Sequence, residues 1–164
     1  MSGPSLARSR RLSPPALRAW GLVIVWLTLI LVLSSEAFSA SSTGSLLRPF
    51  LRWLLPDWST ASIASLHFAI RKSAHVSVYG VLSWLSFRAL RLSQEAPAAR
   101  HAGLALLLVL VVAASDEYRQ SRSRYRTGSL ADVGYDLAGG LAALGLAFVW
   151  RRLVPTAQSP PRKH

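Results

Sequence analysis

Four apolar stretches, each of helix length, alternate with charged stretches along the chain. The first, Ala19 to Ser35, contains no charged residue, and the others cover about residues 66–90, 102–115 and 129–150. A helix needs about 20 predominantly apolar residues to cross the hydrocarbon core of a bilayer. With 51% hydrophobic residues, the chain is too apolar for an ordinary soluble domain. The pattern predicts an all-α fold, a small polytopic membrane protein with four transmembrane helices in a compact bundle.

Amino-acid usage and charge exclude several functional classes. The chain has no cysteine, so disulfides, thiolate nucleophiles and thiolate-bound metals are absent. Its net charge of +12 is typical of nucleic-acid-binding proteins. The arginines, however, lie at the ends of the apolar stretches, where the positive-inside rule and anionic lipids explain them. We therefore expect membrane lipids as partners and no nucleic acid.

Both ends of the chain differ in composition from its centre. Residues 1–18 form a basic leader in which Pro14 and Pro15 are expected to stop any early helix, and residues 151–164 are basic and contain three prolines. We predict that both ends are disordered and cytoplasmic, and that residues 19–150 form the membrane domain. The first apolar stretch could instead be a cleavable signal peptide, but its length and two tryptophans favour a retained helix.

The charge distribution predicts the orientation in the membrane. The leader, the 88–101 loop and the tail carry eleven of the nineteen Lys/Arg and one acid, whereas the 36–65 and 116–129 connections and the adjoining helix ends carry eight Lys/Arg and six acids. The positive-inside rule then places both termini in the cytoplasm and these connections outside. The 36–65 connection, which mixes aromatic residues with arginines, is either an interfacial segment or a packed loop.

A dense set of polar residues flanks the outer ends of the apolar stretches. The last three spans have only 14 or 15 residues without formal charge, about 21–23 Å of helix, against a hydrocarbon core of about 30 Å. Arginines can extend to the membrane surface but short carboxylates cannot, so the polar groups should converge at one depth below the outer surface. The converging set is Lys72, His75, Asp116, Glu117, Asp132 and Asp136.

The last helix should present its acids and glycines to a neighbouring helix. Ser129 and Asp132 fit a capping box that begins this helix after a polar loop over residues 116–128. Asp132, Asp136 and the pair Gly139-Gly140 share one helical face, and small residues at such spacing allow close helix contacts in membranes.

The pairing of these acids leads to a stability expectation. Both aspartates of the last helix should pair with a nearby cation, and the candidates are Lys72, Arg71 and Arg126. Glu117, at the mouth of the loop, should be more exposed to the outside. Asp136→Ala is then expected to destabilise the protein, whereas Glu117→Gln and His75→Ala are expected to leave stability nearly unchanged.

Several motifs resemble those of the VanZ-like family of small bacterial membrane proteins. They are Ser34-Ser35, R-K-S-A-H-x-x-x-Y over 71–79, S-D-E-x-x-Q over 115–120, and R-T-G-S-x-x-D-x-x-x-D-x-x-G over 126–139. Their order and spacing cover most of the chain. The resemblance implies a four-helix membrane domain and, through the family name, a link to glycopeptide (teicoplanin) resistance.

Three functional classes remain open. The first is an enzyme on a lipid-linked envelope substrate, with Glu117 or Asp116 as general base and His75 as acid or base. The second binds an anionic lipid, a lipid-linked cell-wall precursor or a glycopeptide without catalysis. The third is a structural ion-pair network. The candidate ligand-binding residues are Lys72, Tyr79, Gln120, Arg126, Asp132 and Asp136. We expect no cofactor and no metal, because membrane carboxylates more often pair with arginine or lysine.

Overall fold

The structure, a computed structural model, describes residues 12–122 and 129–153. This part of the chain is all-helical and contains no strand, which confirms the all-α part of the predicted fold class. Its helices are α1 (Pro14–Leu33), α2 (Ala40–Leu54), α3 (Thr60–Ser93), α4 (Ala98–Ser121) and α5 (Leu130–Leu153), with a short 3-10 turn at Glu36–Phe38. Three of the described helices, α1, α4 and α5, are long and apolar enough to cross a membrane.

Helix α1 begins at the two prolines that were expected to prevent a helix. Pro14 and Pro15 occupy its first positions, where the missing N–H groups would have no intrahelical partner in any case. The helix therefore starts about a turn before Ala19, and the predicted disordered leader is wrong for residues 14–18. Residues 1–11 of the leader lie outside the described residues, as do residues 154–164 of the predicted tail.

The 36–65 connection is largely helical. Ser39 caps α2 by accepting a hydrogen bond from the Ser42 N–H at 3.2 Å. Leu46, Phe50 and Trp53 are exposed on this helix. An amphipathic helix with exposed aromatic residues between arginines is what the interfacial interpretation of this segment requires, whereas a packed loop is not formed.

Helix α3 is the centre of the molecule. Its 34 residues extend well beyond the predicted 66–90 span and cover about 51 Å. It packs against α1, α4 and α5, most extensively against α5, and its N-terminal part also contacts α2. Helix α3 is not among the described helices that are apolar enough to cross a membrane by composition. The fourth membrane span therefore remains a prediction.

The four long helices, α1, α3, α4 and α5, alternate in direction in the order in which they follow one another along the chain. Trp20 Nε1 donates to Ser93 Oγ at 2.9 Å, which places the start of α1 beside the end of α3. Ser34 bonds Asp116, which places the end of α1 beside the end of α4. We call the end of the bundle with Ser34 and Asp116 the polar end, and the opposite end, with the 94–97 connection between α3 and α4, the turn end.

The core is thin, as expected for a bundle whose outer surface faces lipid. Val23, Leu82, Val109 and Ala113 are almost completely buried, whereas only 22% of the most apolar windows of α1, α4 and α5 is buried. The predicted close helix contact is confirmed at Gly139. A Cβ added there would lie 2.2 Å from the Val76 carbonyl oxygen, so α3 and α5 cross with backbone against backbone.

Candidate functional site

Asp116, Glu117 and Gln120 lie on a helix and not in a loop. Helix α4 continues to Ser121, and the three side chains are only 7%, 7% and 8% exposed. Their spacing places them on the inward face of α4, where partners from other segments satisfy the acids and allow the helix to continue. The predicted polar loop from residue 116 and the predicted exposure of Glu117 are therefore both wrong.

Asp116 is the centre of a hydrogen-bonded group that joins α4 to α1. Gln120 Nε2 donates to Asp116 Oδ2 at 2.6 Å, and Arg119 Nη2 donates to Oδ1 at 2.9 Å. The Ser34 hydroxyl also donates to Asp116 and accepts from Gln120 Nε2 at 2.9 Å. Ser34 was singled out from the sequence as part of a motif but not as a site residue, because nothing local showed that the end of α1 reaches α4.

Two acid–base pairs join α5 to α3, one helical turn apart. Lys72 pairs with Asp132, as predicted, and both side chains are about 20% exposed. Asp136 is 2% exposed, and its Oδ1 lies 3.2 Å from His75 Nδ1. Its partner is thus a histidine, in place of the predicted lysine or arginine, because α3 and α5 run parallel and Asp136 lies opposite His75, one turn beyond the Lys72–Asp132 pair. Arg126, the other candidate partner, lies outside the described residues.

Glu117 binds the start of α5. Its Oε2 accepts a hydrogen bond from the Ser129 N–H at 2.6 Å. The helix begins at Leu130 as predicted, but the capping box is not formed: Ser129 Oγ accepts from the Ala131 N–H at 3.2 Å, and Asp132 turns to Lys72. A carboxylate from another helix therefore takes the favourable position at this N-terminus.

Arg71 and Tyr79 flank the second pair on α3. Arg71 Nη1 donates to the Phe38 carbonyl oxygen at 3.1 Å and to Thr43 Oγ1 at 3.0 Å, which ties α3 to the start of α2. The Tyr79 ring stacks on the His75 ring with centroids 6.4 Å apart, and its hydroxyl is buried with no hydrogen-bond partner among the described residues.

A cavity of about 230 Å³ opens at the polar end between α1, α2 and α3. Apolar side chains form most of its wall: Ile30, Leu33, Phe38, Leu47, Ile70 and Val78. Its polar lining consists of Ser34, Thr43, Arg71, His75, Tyr79 and Asp116. We call it the α1–α3 pocket. Of the predicted site residues, His75, Tyr79 and Asp116 thus line one pocket.

The other predicted site residues that the structure describes lie outside this pocket, where Lys72 pairs with Asp132 and the rest bond His75, Asp116 or Ser129. They are Lys72, Glu117, Gln120, Asp132 and Asp136, none of which lines it. No group of three or more histidine and acidic side chains within residues 12–122 and 129–153 is placed to hold a metal ion.

The family to which the chain belongs is shown by a match to a family model. A family model described as VanZ/LLP1 matches residues 19–151, from the first turns of α1 to the last turn of α5. The chain belongs to the VanZ/LLP1 family. No curated protein and no solved structure matches it significantly.

The VanZ/LLP1 match extends over all the residues that meet at the polar end. Ser34, the 71–79 motif, the 115–120 motif and the start of α5 all fall within it. In this family member they form what we call the polar group, three sets of contacts at the polar end: Ser34 with Asp116 between α1 and α4, Glu117 with the Ser129 N–H before α5, and the two acid–base pairs between α3 and α5.

Proposed function

We propose that the protein binds an anionic amphiphile, an anionic lipid or a lipid-linked cell-wall precursor, at the outer face of the bacterial cytoplasmic membrane. The observation that carries the proposal is the α1–α3 pocket, which has an apolar wall and a polar lining with a guanidinium. Ligand sites typically combine apolar walls with a few placed polar groups. The family name extends the proposal to teicoplanin resistance as the cellular readout.

The pocket chemistry matches both parts of such a ligand. Leu33, Leu47 and Ile70 would contact an acyl or isoprenoid chain. Arg71 would bind a phosphate or carboxylate, for which a guanidinium has the matching geometry. At about 230 Å³ the pocket holds a head group with the first part of its chain, while the rest lies in the bilayer.

Asp116, the acid that lines the pocket, repels an incoming anion only weakly. Asp116 already accepts hydrogen bonds from Ser34, Arg119 and Gln120. Its charge is balanced within the protein, so a ligand phosphate beside Arg71 meets little uncompensated negative charge.

The orientation is proposed from the charge distribution, with the polar end outside. A reporter enzyme fused after Glu95, at the turn end, is expected to be cytoplasmic, whereas the same reporter after Asp57, between α2 and α3, is expected to be extracytoplasmic. The measurement is paired reporter activity, with an alkaline phosphatase and a green fluorescent protein at each site. The same sidedness at both positions would contradict the model.

Ligand retention tests the pocket directly. Wild type purified in mild detergent is expected to carry an anionic lipid detectable by mass spectrometry. Arg71→Gln should retain about fivefold less, because one arginine–anion contact near a membrane surface contributes about 1 kcal/mol. Arg122→Gln is the matched control, since Arg122 lies at the same end, stacks on Tyr118 and does not line the pocket. Equal losses in the two variants would rule the pocket out as the site.

A second candidate is an acid–base enzyme acting on the same kind of ligand. It is favoured by His75 and Asp116, two proton-transfer groups that both line the pocket. In a folded His75→Gln protein the bound lipid distinguishes the two: a binder retains the wild-type species, whereas an enzyme accumulates an unprocessed one. Glu117 does not line the pocket, and as a general base it is the weaker choice.

A further inference from the structure

A second and larger cavity lies between α3 and α5, from the middle of the bundle to the turn end. Its volume is about 1120 Å³. One side is a stripe of α3, with Ser77, Val81, Trp84 and Arg88, and the other is a stripe of α5, with Ala143, Leu146, Ala147 and Trp150. Alanines opposite Trp84 leave space between the helices that larger side chains would fill. We call this cavity the arginine groove.

Three arginines line the groove toward the turn end. They are Arg88 and Arg91 on α3 and Arg151 on α5, and all three are exposed. The Arg88 guanidinium carbon lies 5.9 Å from the Trp84 ring centroid, and that of Arg91 lies 5.7 Å from the Phe87 centroid. Within residues 12–122 and 129–153 no salt bridge joins any of the three to a carboxylate.

This combination selects an anion that carries a hydrocarbon chain. Three like charges around one cavity repel each other unless an anion lies between them. The aromatic rings hold two of the guanidinium groups beside the groove, and the N–H groups of these guanidiniums remain available to bind an anion. The apolar part of the groove, Val81 and Leu146 among others, lies farther from the turn end than the three arginines. A soluble anion would leave this part unfilled.

We propose that the arginine groove binds an anionic phospholipid from the leaflet at the turn end, with the phosphate at the three arginines and one acyl chain between α3 and α5. This site is separate from the α1–α3 pocket and does not depend on the function proposed for it. Self-association through the groove is disfavoured, because two copies would bring six arginines together.

Native mass spectrometry with added phosphatidylglycerol or phosphatidylcholine tests the site on the full-length protein. Wild type is expected to bind at least one phosphatidylglycerol more tightly than phosphatidylcholine. Each substitution among Arg88→Gln, Arg91→Gln and Arg151→Gln should weaken phosphatidylglycerol about fivefold, and the triple variant roughly a hundredfold.

A matched triple variant controls for net charge. Arg18→Gln, Arg100→Gln and Arg152→Gln remove the same charge at the turn end from residues that do not line the groove, and this protein should bind as wild type does. Ala147→Phe fills the groove without changing charge and should also weaken phosphatidylglycerol, which separates chain binding from surface attraction.

Each alternative outcome overturns the proposal. Equal weakening in the two triple variants would mean general electrostatic attraction. Equal affinity for phosphatidylglycerol and phosphatidylcholine would show that the arginines do not select an anionic lipid. Unchanged binding in Ala147→Phe would show that the lipid binds outside the groove. A wild-type dimer that is lost in the Arg88, Arg91 and Arg151 triple variant would show that the groove binds a second copy of the chain. If the triple variant fails to fold, Arg151→Gln alone decides, with a fivefold effect expected and no effect contradicting the site.

Discussion

Replacing Gly139 by alanine is expected to destabilise the protein by about 1–3 kcal/mol or more, the range for overpacking a tight contact. The added Cβ would lie 2.2 Å from the Val76 carbonyl oxygen and 2.9 Å from Val76 Cα. Backbone atoms of a helix cannot rotate away as a flexible side chain can, so α3 and α5 must separate. This is the most extensive helix contact of the fold. A thermal melt of the full-length protein in detergent measures the effect.

The same helix provides the control for this substitution. Nothing lies within 4 Å of a Cβ added at Gly145. Gly145→Ala is therefore expected to be neutral or to stabilise by up to about 1 kcal/mol, because alanine favours a helix over glycine. Gly80→Ala, whose Cβ would lie 3.1 Å from the Gly139 carbonyl oxygen, should give an intermediate effect. A Gly139→Ala melt equal to that of Gly145→Ala would show that α3 and α5 do not cross here.

Asp136→Ala is expected to cost about 1–3 kcal/mol, and Asp132→Ala at most about 1 kcal/mol. Both aspartates lie on α5 and pair with α3, but Asp136 is 2% exposed whereas Asp132 is 21% exposed. Removing Asp136 empties a buried position between α5 and α3 and takes the hydrogen bond from His75, whereas Asp132 is partly exposed and water can replace its contact with Lys72. Melts of the two variants, recorded in one detergent, measure the difference; equal losses would contradict the burial argument.

The structure changes what we expect of His75 and leaves the expectation for Glu117 in place. Because His75 is the partner of Asp136, His75→Ala should destabilise the protein, whereas His75→Gln can still donate to the carboxylate. Glu117→Gln should remain nearly neutral, since an amide oxygen can still accept from the Ser129 N–H. A stable Glu117→Gln or His75→Gln protein that loses the proposed contribution to teicoplanin resistance would separate function from folding. If both melt as low as Asp136→Ala, the polar group is mainly structural.

Part of the fold and of the site is predictable because the controlling rules act along the chain. Apolar runs of helix length predict α1, α4 and α5, since the thickness of the bilayer sets how long such a run must be. The short uncharged spans and the helical periodicity predict that Lys72 meets Asp132 at one end of the bundle. The close contact at Gly139 follows from the small-residue pattern on the same face.

Other features were decided only by the tertiary structure. Asp116 and Glu117 look like loop residues until Ser34 and Ser129, each from a different part of the chain, supply their hydrogen bonds. The choice of His75 for Asp136, the α1–α3 pocket and the arginine groove all depend on how each helix is rotated and shifted against its neighbours. The sequence by itself determined that there are four long helical segments and that α5 carries its acids and glycines on one face, because those properties are local. Which polar groups pair, and where space remains between helices, is set by contacts between residues distant in sequence, which no local pattern records.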